Sequence, residues 1–125
     1  MKIFLIEDDL IYSEFIKKSL IQNPDYQVDS FLTAEEALSA FKASKPDAII
    51  IDYKLPGMSG IELYERIKSQ LNDKHKVIML SALDDGNMVL NFIQKGVRDY
   101  VIKDENVIDS LQSILAGKED DIFFS

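Results

Sequence analysis

Short apolar runs alternate along the chain with longer segments in which apolar residues recur at helical spacing. Several of the short runs are apolar at every position instead of alternating apolar with polar residues. A strand of that kind is buried on both faces, as in a parallel sheet covered by helices. The pattern predicts strands over residues 2–6, 26–31, 47–52, 76–80 and 98–103.

The segments between these strands carry apolar residues three and four positions apart, which is typical of amphipathic helices. Two of the segments begin with the capping-box pattern, in Thr33 with Glu36 and in Ser59 with Glu62. A glycine directly follows each of the last two segments and should end the helix there. The pattern predicts helices over residues 10–20, 34–41, 61–71, 84–95 and 106–116.

This alternation predicts an α/β fold, namely a doubly wound five-stranded parallel sheet with five helices, of the flavodoxin-like (βα)5 kind. A length of 125 residues suits one domain with one core. We expect that domain over residues 1–117, and a C-terminal tail or the start of a linker over residues 118–125. Ligands of such sheets bind outside the carboxyl ends of the strands.

Composition and charge narrow the class of protein. With 46% hydrophobic and 29% charged residues, the chain has the composition of a soluble globular protein. Its net charge of -8 disfavours binding to nucleic acid or to anionic membranes. The absence of cysteine excludes disulfides and thiolate metal sites and fits a cytoplasmic location. No apolar run is long enough to span a membrane.

Acidic residues stand where two of the predicted strands end. Glu7, Asp8 and Asp9 follow the first strand, and Asp52 closes the apolar run "IIID" of the third. If the sheet is parallel, these carboxylates meet at one edge, where they repel each other unless they are protonated or bind a cation. Carboxylate oxygens suit Mg²⁺, and Mn²⁺ could substitute for it. The sequence therefore predicts a magnesium site.

A hydroxyl and an ammonium group end the fourth and fifth strands, at Ser81 and Lys103. A carboxylate beside a magnesium ion and a lysine can attack a phosphoryl group, because the cations neutralise the charge on its oxygens. Attack by Asp52 would produce an aspartyl phosphate.

Four motifs, in this order and at these spacings, resemble the receiver domain of bacterial two-component response regulators, the chemotaxis receivers among them. They are "LIEDD", "DYKLPGMSGIEL", "VIMLSA" and "GVRDYVIK". The resemblance runs from end to end and implies a receiver domain over residues 1–117. It implies phosphorylation by a sensor histidine kinase or phosphotransfer protein. It also implies a protein that catalyses only its own phosphoryl transfer and dephosphorylation, and is not a metabolic enzyme.

The resemblance also implies roles for the residues at the strand ends. Asp52 corresponds to the phosphoacceptor, and Asp8 to the direct magnesium ligand. Glu7 corresponds to the acid that assists through water, and the backbone carbonyl of Lys54 to the remaining protein ligand.

Three further positions correspond to the switch of the family. By the resemblance, Ser81 and Lys103 bind the phosphoryl oxygens, and Tyr100 changes rotamer on activation. The implied output surface is formed by the fourth helix, the fifth strand and the fifth helix, and the same face could support a homodimer.

Two departures from the family pattern affect these expectations. The family commonly has proline after the active-site lysine, with a cis bond between them, whereas this chain has Asp104. A cis bond before a non-proline residue costs about 3 to 4 kcal/mol, so that bond is either trans or strained. The positions of Lys54 and Leu83 help to set phosphoryl lifetime in the family. Because an apolar Leu83 guides an attacking water poorly, we expect a long-lived phosphoaspartate.

Other functions fit the residues less well. A phosphorylation-independent pseudo-receiver, acting as a protein interaction module, stays open because of Asp104. An aspartate-nucleophile phosphohydrolase would need a second aspartate where Lys54 stands. A flavodoxin-like electron carrier would need a phosphate loop after the first strand, where "EDDLIYSEF" is acidic.

Each candidate residue also has a purely structural interpretation. Asp9 could cap the first helix, and Asp52 could form an Asx turn. Ser81 could simply begin a helix, and Lys103 could protect the edge of a strand. Tyr100 could pack in the core with its hydroxyl at the surface.

Overall fold

The computed structural model describes residues 1–82 and 86–117, which form one parallel sheet of five strands with helices on both faces. The strand order is β2-β1-β3-β4-β5, so the predicted doubly wound α/β fold is confirmed. The strands are β1 (Lys2–Ile6), β2 (Gln27–Phe31), β3 (Ala48–Asp52), β4 (Lys76–Ser81) and β5 (Asp99–Ile102).

Five α-helices connect or follow the strands. They are α1 (Leu10–Leu20), α2 (Ala34–Ala43), α3 (Gly60–Ile67), α4 (Gly86–Gln94) and α5 (Val107–Leu115). The helices of residues 1–82 and 86–117 are all too short or too polar to cross a membrane.

The predicted third helix was too long. Its α-helical part ends at Ile67, and Lys68–Gln70 form a 3₁₀ turn. Leu71, which extended the apolar pattern, has an extended backbone and packs against the core from there. An apolar residue at helical spacing can thus reach the core through a tightened turn. The predicted start of the fourth helix, at residue 84, lies outside the described residues.

The hydrophobic core has one layer on each face of the sheet, because neighbouring residues of a strand point to opposite faces. Ile3 and Leu5 of β1 belong to the layer beneath α1 and α5. Phe4 and Ile6 belong to the layer beneath α2, α3 and α4. All residues of β3 are buried. The continuous apolar runs of the sequence therefore correspond to strands covered on both faces.

Side-chain caps fix where three helices begin. Asp9 accepts hydrogen bonds from the backbone N–H groups of Ile11 and Tyr12, at 3.0 and 3.2 Å. The Thr33 hydroxyl accepts from Glu36 N, and the Ser59 hydroxyl from Glu62 N, both at 3.1 Å. A cap of this kind contributes about 1 kcal/mol. The Asp9 cap starts α1 directly after Glu7 and Asp8, the two acidic residues that follow β1.

Candidate functional site: the carboxyl edge of the sheet

The register of the sheet brings the predicted site residues to one edge. Asp52 at the end of β3 pairs with Leu80 of β4, and Ser81 pairs with Ile102 of β5. The backbone N–H of Lys103, one residue beyond β5, donates to the Ser81 carbonyl at 2.8 Å. The ends of three neighbouring strands are thereby fixed relative to each other.

Three carboxylates form a cluster at this edge. Glu7, Asp8 and Asp52 each offer an oxygen, and these oxygens all lie within 4.8 Å of one another. Octahedral coordination at about 2.1 Å puts ligand oxygens about 3 Å apart when adjacent and about 4.2 Å apart when opposite. The cluster therefore suits Mg²⁺ after shifts of a few tenths of an ångström. Glu7 and Asp52 are buried, whereas Asp8 is exposed and forms the open side of the site.

The Lys103 ammonium joins two of these carboxylates. Its Nζ lies 2.5 Å from Glu7 Oε1 and 3.3 Å from Asp52 Oδ2. The Lys103 side chain is 17% exposed, and that of Glu7 only 1%. A buried carboxylate is tolerated when it is paired in this way. The lysine is thus part of the site already in the absence of a phosphoryl group.

Burial and the charges of neighbouring groups have opposing effects on the pKa values of Glu7 and Lys103. Burial raises the pKa of Glu7, the Lys103 ammonium and the Asp9 backbone N–H oppose this, and the Asp52 carboxylate adds to it. Burial by itself would lower the pKa of Lys103, but its contacts with Glu7 and Asp52 raise it overall. Lys103 therefore remains an ammonium at neutral pH.

Asp52 also organises the loop that follows it. Its Oδ1 accepts a hydrogen bond from the backbone N–H of Lys54 at 3.3 Å, which is an Asx-type turn. Asp52 therefore forms the Asx turn and belongs to the acidic site at the same time. Its Oδ1 contacts Lys54 N, and its Oδ2 contacts Lys103 Nζ.

A cavity of about 340 Å³ opens beside the phosphoacceptor candidate. Its lining residues are Asp52, Tyr53, Lys54, Ser81, Ala82, Met88 and Lys103. The Ser81 hydroxyl donates to the thioether sulfur of Met88 on α4, at 3.4 Å. The candidate switch hydroxyl is therefore engaged by a helix on the far side of this cavity.

Three further positions named from the sequence are Tyr100, Asp104 and Leu83. Tyr100 on β5 is 39% exposed, so it is not packed into the core. The bond between Lys103 and Asp104 is trans, as are the other peptide bonds in the part of the chain that the structure describes. The Asp104 side chain contacts the residue before α5, because its Oδ1 accepts a hydrogen bond from the backbone N–H of Asn106 at 2.9 Å. Leu83, the basis of the expected phosphoryl lifetime, lies outside the described residues.

A close contact joins the phosphoacceptor candidate to α3. A Cβ atom on Gly60 would lie 2.5 Å from the Asp52 carbonyl oxygen and 2.9 Å from Ile51 Cγ2. Only glycine lets the first turn of α3 approach the end of β3 this closely. The contact makes β3 and the start of α3 one packed unit.

A side chain of α2 holds the loop between β3 and α3. Glu35 Oε2 accepts a hydrogen bond from the backbone N–H of Met58 at 3.2 Å. The preceding residue, Gly57, has a φ of +72°, and a Cβ there would lie 2.6 Å from the same carboxylate oxygen. Helical spacing predicts the helices that carry Glu35 and Met88, but it does not predict their contacts with Met58 N and Ser81.

Fold and site together define a doubly wound α/β domain with an acidic cluster and a paired lysine at the carboxyl edge of its sheet. A family model for the response regulator receiver domain matches residues 3–115. The chain therefore belongs to the response regulator receiver family, which confirms the resemblance. Receiver domains are signalling modules of two-component systems and bind Mg²⁺ through an acidic cluster.

Relatives of two lengths resemble the chain. The chemotaxis protein CheY of Listeria monocytogenes is 32% identical over 114 residues, which cover 86% of this chain and 93% of that protein. The transcriptional regulatory protein CrdR of Helicobacter pylori is 32% identical over 102 residues, 82% of this chain but 47% of that protein. The receiver domain of the Francisella response regulator 1452 superposes with a TM-score of 0.82 at 27% identity, covering 97% of this chain and 98% of that domain.

Proposed function

We propose that this receiver is phosphorylated on Asp52 by a sensor histidine kinase or a histidine phosphotransfer protein. The observation that carries the proposal is the contact of the Lys103 ammonium with both Glu7 and Asp52, within a cluster that Asp8 completes. A cation and several carboxylates at one rigid edge suit the transfer of a phosphoryl group.

The proposed step is a displacement at phosphorus. An oxygen of the Asp52 carboxylate attacks the phosphorus and forms the new O–P bond. The P–N bond to the histidine of the donor breaks, and its electron pair stays on the histidine nitrogen, which takes up a proton from water. Lys103 is already positioned to neutralise charge on the phosphoryl oxygens, since its Nζ lies 3.3 Å from Asp52 Oδ2. A bound Mg²⁺ supplies further neutralisation of that charge. No other co-reactant is needed.

The proposed metal ligands are Asp8, Asp52 and the backbone carbonyl of Lys54, with Glu7 acting through a water molecule. The exposure of Asp8 supports its role as a direct ligand, because a hydrated ion can reach it. Glu7 is buried and already paired with Lys103, which supports an indirect role. Mn²⁺ should substitute for Mg²⁺, since both prefer oxygen ligands.

In the proposed switch, Ser81 and Lys103 bind the phosphoryl oxygens and Tyr100 changes rotamer. Ser81 would then leave Met88, its present acceptor on α4. A change from about 1:99 to 99:1 needs roughly 5.5 kcal/mol, and two or three hydrogen bonds to charged groups supply about 1.5 to 3 kcal/mol each. The α4, β5 and α5 face is the proposed output surface, through which the protein could also form a homodimer.

The proposed boundaries are a receiver domain over residues 1–117 and a tail or linker over residues 118–125. The chain has nearly the length of the Listeria chemotaxis protein but spans about half of the Helicobacter regulator. We assign the protein to the cytoplasm, where such kinases present their phosphohistidine. Its net charge of -8 supports an output through protein partners rather than direct DNA binding.

Phosphorylation of the purified protein by acetyl phosphate, measured by intact mass, tests the proposal. We expect a magnesium-dependent gain of one phosphoryl group in the wild type, and no gain in Asp52→Asn. Asp73→Asn makes the same chemical change at an exposed position of the loop before β4 and should be phosphorylated normally. If folded wild-type protein gains no phosphoryl group with Mg²⁺ or Mn²⁺, the chain is a phosphorylation-independent interaction module instead.

A further inference from the structure

The first turn of α1 places an aromatic ring against the active-site lysine. Lys103 Nζ lies 4.8 Å from the centroid of the Tyr12 ring, over its face. The backbone N–H of Tyr12 donates to the cap residue Asp9, which directly follows Glu7 and Asp8. The cap therefore fixes the position of the ring relative to the carboxylate cluster.

The aromatic ring of Tyr12, and not its hydroxyl, makes the contact with the Lys103 ammonium. Within residues 1–82 and 86–117, Tyr12 Oη is the one buried side-chain oxygen or nitrogen without a hydrogen-bond partner. An unpaired buried hydroxyl destabilises a protein, so it gives no reason for tyrosine over phenylalanine. The negative face of the ring, in contrast, attracts an ammonium ion. The ring also packs against the core layer beneath α1.

The contact with the ring differs from the other two contacts of the ammonium. Glu7 and Asp52 both belong to the carboxylate cluster, so their charges change when a metal ion binds or a phosphoryl group is attached. The Tyr12 ring takes no part in either event. A flexible lysine side chain that is held partly by an uncharged ring keeps its direction while the charges around it change.

We propose that Tyr12 is a positioning residue for Lys103, whose ammonium its ring holds at the mouth of the phosphorylation site before and after phosphoryl transfer. The consequence for phosphorylation rests on the proposed function of Asp52. The positioning itself does not, because it concerns the location of the ammonium in the unphosphorylated protein.

Three variants test this inference in the full chain. Tyr12→Phe keeps the ring, Tyr12→Leu removes it, and Phe15→Leu removes the neighbouring aromatic ring of the same helix. With acetyl phosphate and Mg²⁺, we expect Tyr12→Leu to be phosphorylated about five-fold more slowly, which corresponds to about 1 kcal/mol. Tyr12→Phe and Phe15→Leu should stay within about two-fold of the wild type.

A second measurement reads the position of the lysine without any phosphorylation. The Lys103 Hε protons, assigned by NMR with a Lys103→Arg variant, should be shifted upfield by the ring current. The shift should persist in Tyr12→Phe and Phe15→Leu and disappear in Tyr12→Leu, with circular dichroism showing that each variant is folded. The shift shows that the ring lies over the Lys103 side chain, and slower phosphorylation of Tyr12→Leu beside an unchanged rate in Tyr12→Phe shows that the ring positions the lysine.

The two measurements separate the two hypotheses. If the wild type is not phosphorylated but shows the upfield shift, the proposed function fails and the positioning stands. The positioning is wrong if the wild-type Lys103 protons show no ring-current shift, or if the wild type is phosphorylated and Tyr12→Leu is phosphorylated equally fast. It is also wrong if Tyr12→Phe loses as much rate as Tyr12→Leu. Should Tyr12→Leu fail to fold, the wild-type and Tyr12→Phe spectra still decide.

Discussion

Two ion pairs of nearly equal length should differ greatly in their effect on stability. Lys103 Nζ lies 2.5 Å from Glu7 Oε1, and Lys95 Nζ lies 2.6 Å from Glu65 Oε1. The Glu7 side chain is only 1% exposed, whereas that of Glu65 is 41% exposed. Breaking a buried pair leaves an uncompensated charge in a medium of low dielectric, but water solvates a charge at the surface. Burial, and not distance, should therefore decide the outcome.

The perturbation is Lys103→Met, with Lys95→Met as its matched control. Removing one partner of a fully buried pair costs about 3 to 5 kcal/mol. Lys103 is 17% exposed and lies at the open edge of the sheet, so we expect about 2 kcal/mol at pH 7.5 without divalent metal. For a domain of this size, 1 kcal/mol corresponds to about 4 °C, so Tm should fall by about 8 °C. Lys95→Met should leave Tm nearly unchanged.

The loss of stability in Lys103→Met should depend on pH, and the pKa of Glu7 sets the direction of that dependence. Burial holds the pKa of Glu7 above its ordinary value, and Lys103 opposes that rise. Without the lysine the pKa of Glu7 rises further, so the folded state binds a proton at a pH where the unfolded state does not. Folding is then favoured as pH falls. The deficit of Lys103→Met should therefore be largest above the raised pKa of Glu7 and shrink as pH falls through it.

Thermal unfolding followed by circular dichroism, in steps from pH 7.5 to pH 5 with and without Mg²⁺, measures these effects. Mg²⁺ should raise the Tm of Lys103→Met more than that of the wild type, because the carboxylates left without the lysine repel each other more strongly. Equal Tm values for Lys103→Met and the wild type at pH 7.5 without metal would refute the reasoning. So would an equal loss of stability in Lys95→Met.

Three shorter predictions concern other contacts of the site. Mg²⁺ affinity measured by calorimetry should fall as pH falls through the raised pKa of Glu7, because a protonated Glu7 no longer adds its negative charge to the carboxylate cluster; an affinity that stays constant over the whole pH range in which the protein is folded would contradict this. Met88→Leu removes an acceptor worth about 0.5 kcal/mol that holds the Ser81 hydroxyl, so phosphorylation by acetyl phosphate should become about two-fold faster, but not in a Ser81→Ala background. Glu35→Ala should lower the free energy of unfolding in urea by about 1 kcal/mol through the lost bond to Met58 N, and an equal loss in Glu36→Ala would show that the loop contact is not the cause.

The hydrophobic pattern of the sequence predicts the strands and the polar residues at their ends. β3 is buried at every position, so Asp52, the first polar residue of its apolar run, marks the edge of the sheet. Lys103 marks the same edge because it directly follows the apolar end of β5. Parallel pairing then brings such residues together whatever their separation along the chain. This is why the acidic cluster and its lysine could be predicted before any geometry was known.

Contacts made by helical side chains could not be predicted in the same way. Tyr12 fits the apolar pattern of α1, and Met88 fits that of α4, so periodicity assigns both to packing. Whether such a side chain also reaches a polar partner depends on the rotation and position of its helix on the sheet. Helical spacing also failed to predict the end of α3. Leu71 packs against the core from an extended backbone after a 3₁₀ turn, and not from a last turn of α-helix.

The close contact at Gly60 has a mechanical consequence. Because a Cβ atom on Gly60 would lie 2.5 Å from the Asp52 carbonyl oxygen, the proposed phosphoacceptor is closely packed against α3 on one side. On the other side, the Ser81 hydroxyl donates to the thioether of Met88 on α4, and Tyr100 is partly exposed. A displacement at Asp52 should therefore shift α4 and β5 more readily than α3. If Asp52 is phosphorylated as proposed, the close packing at Gly60 should direct the resulting displacement toward α4 and β5 and not into α3.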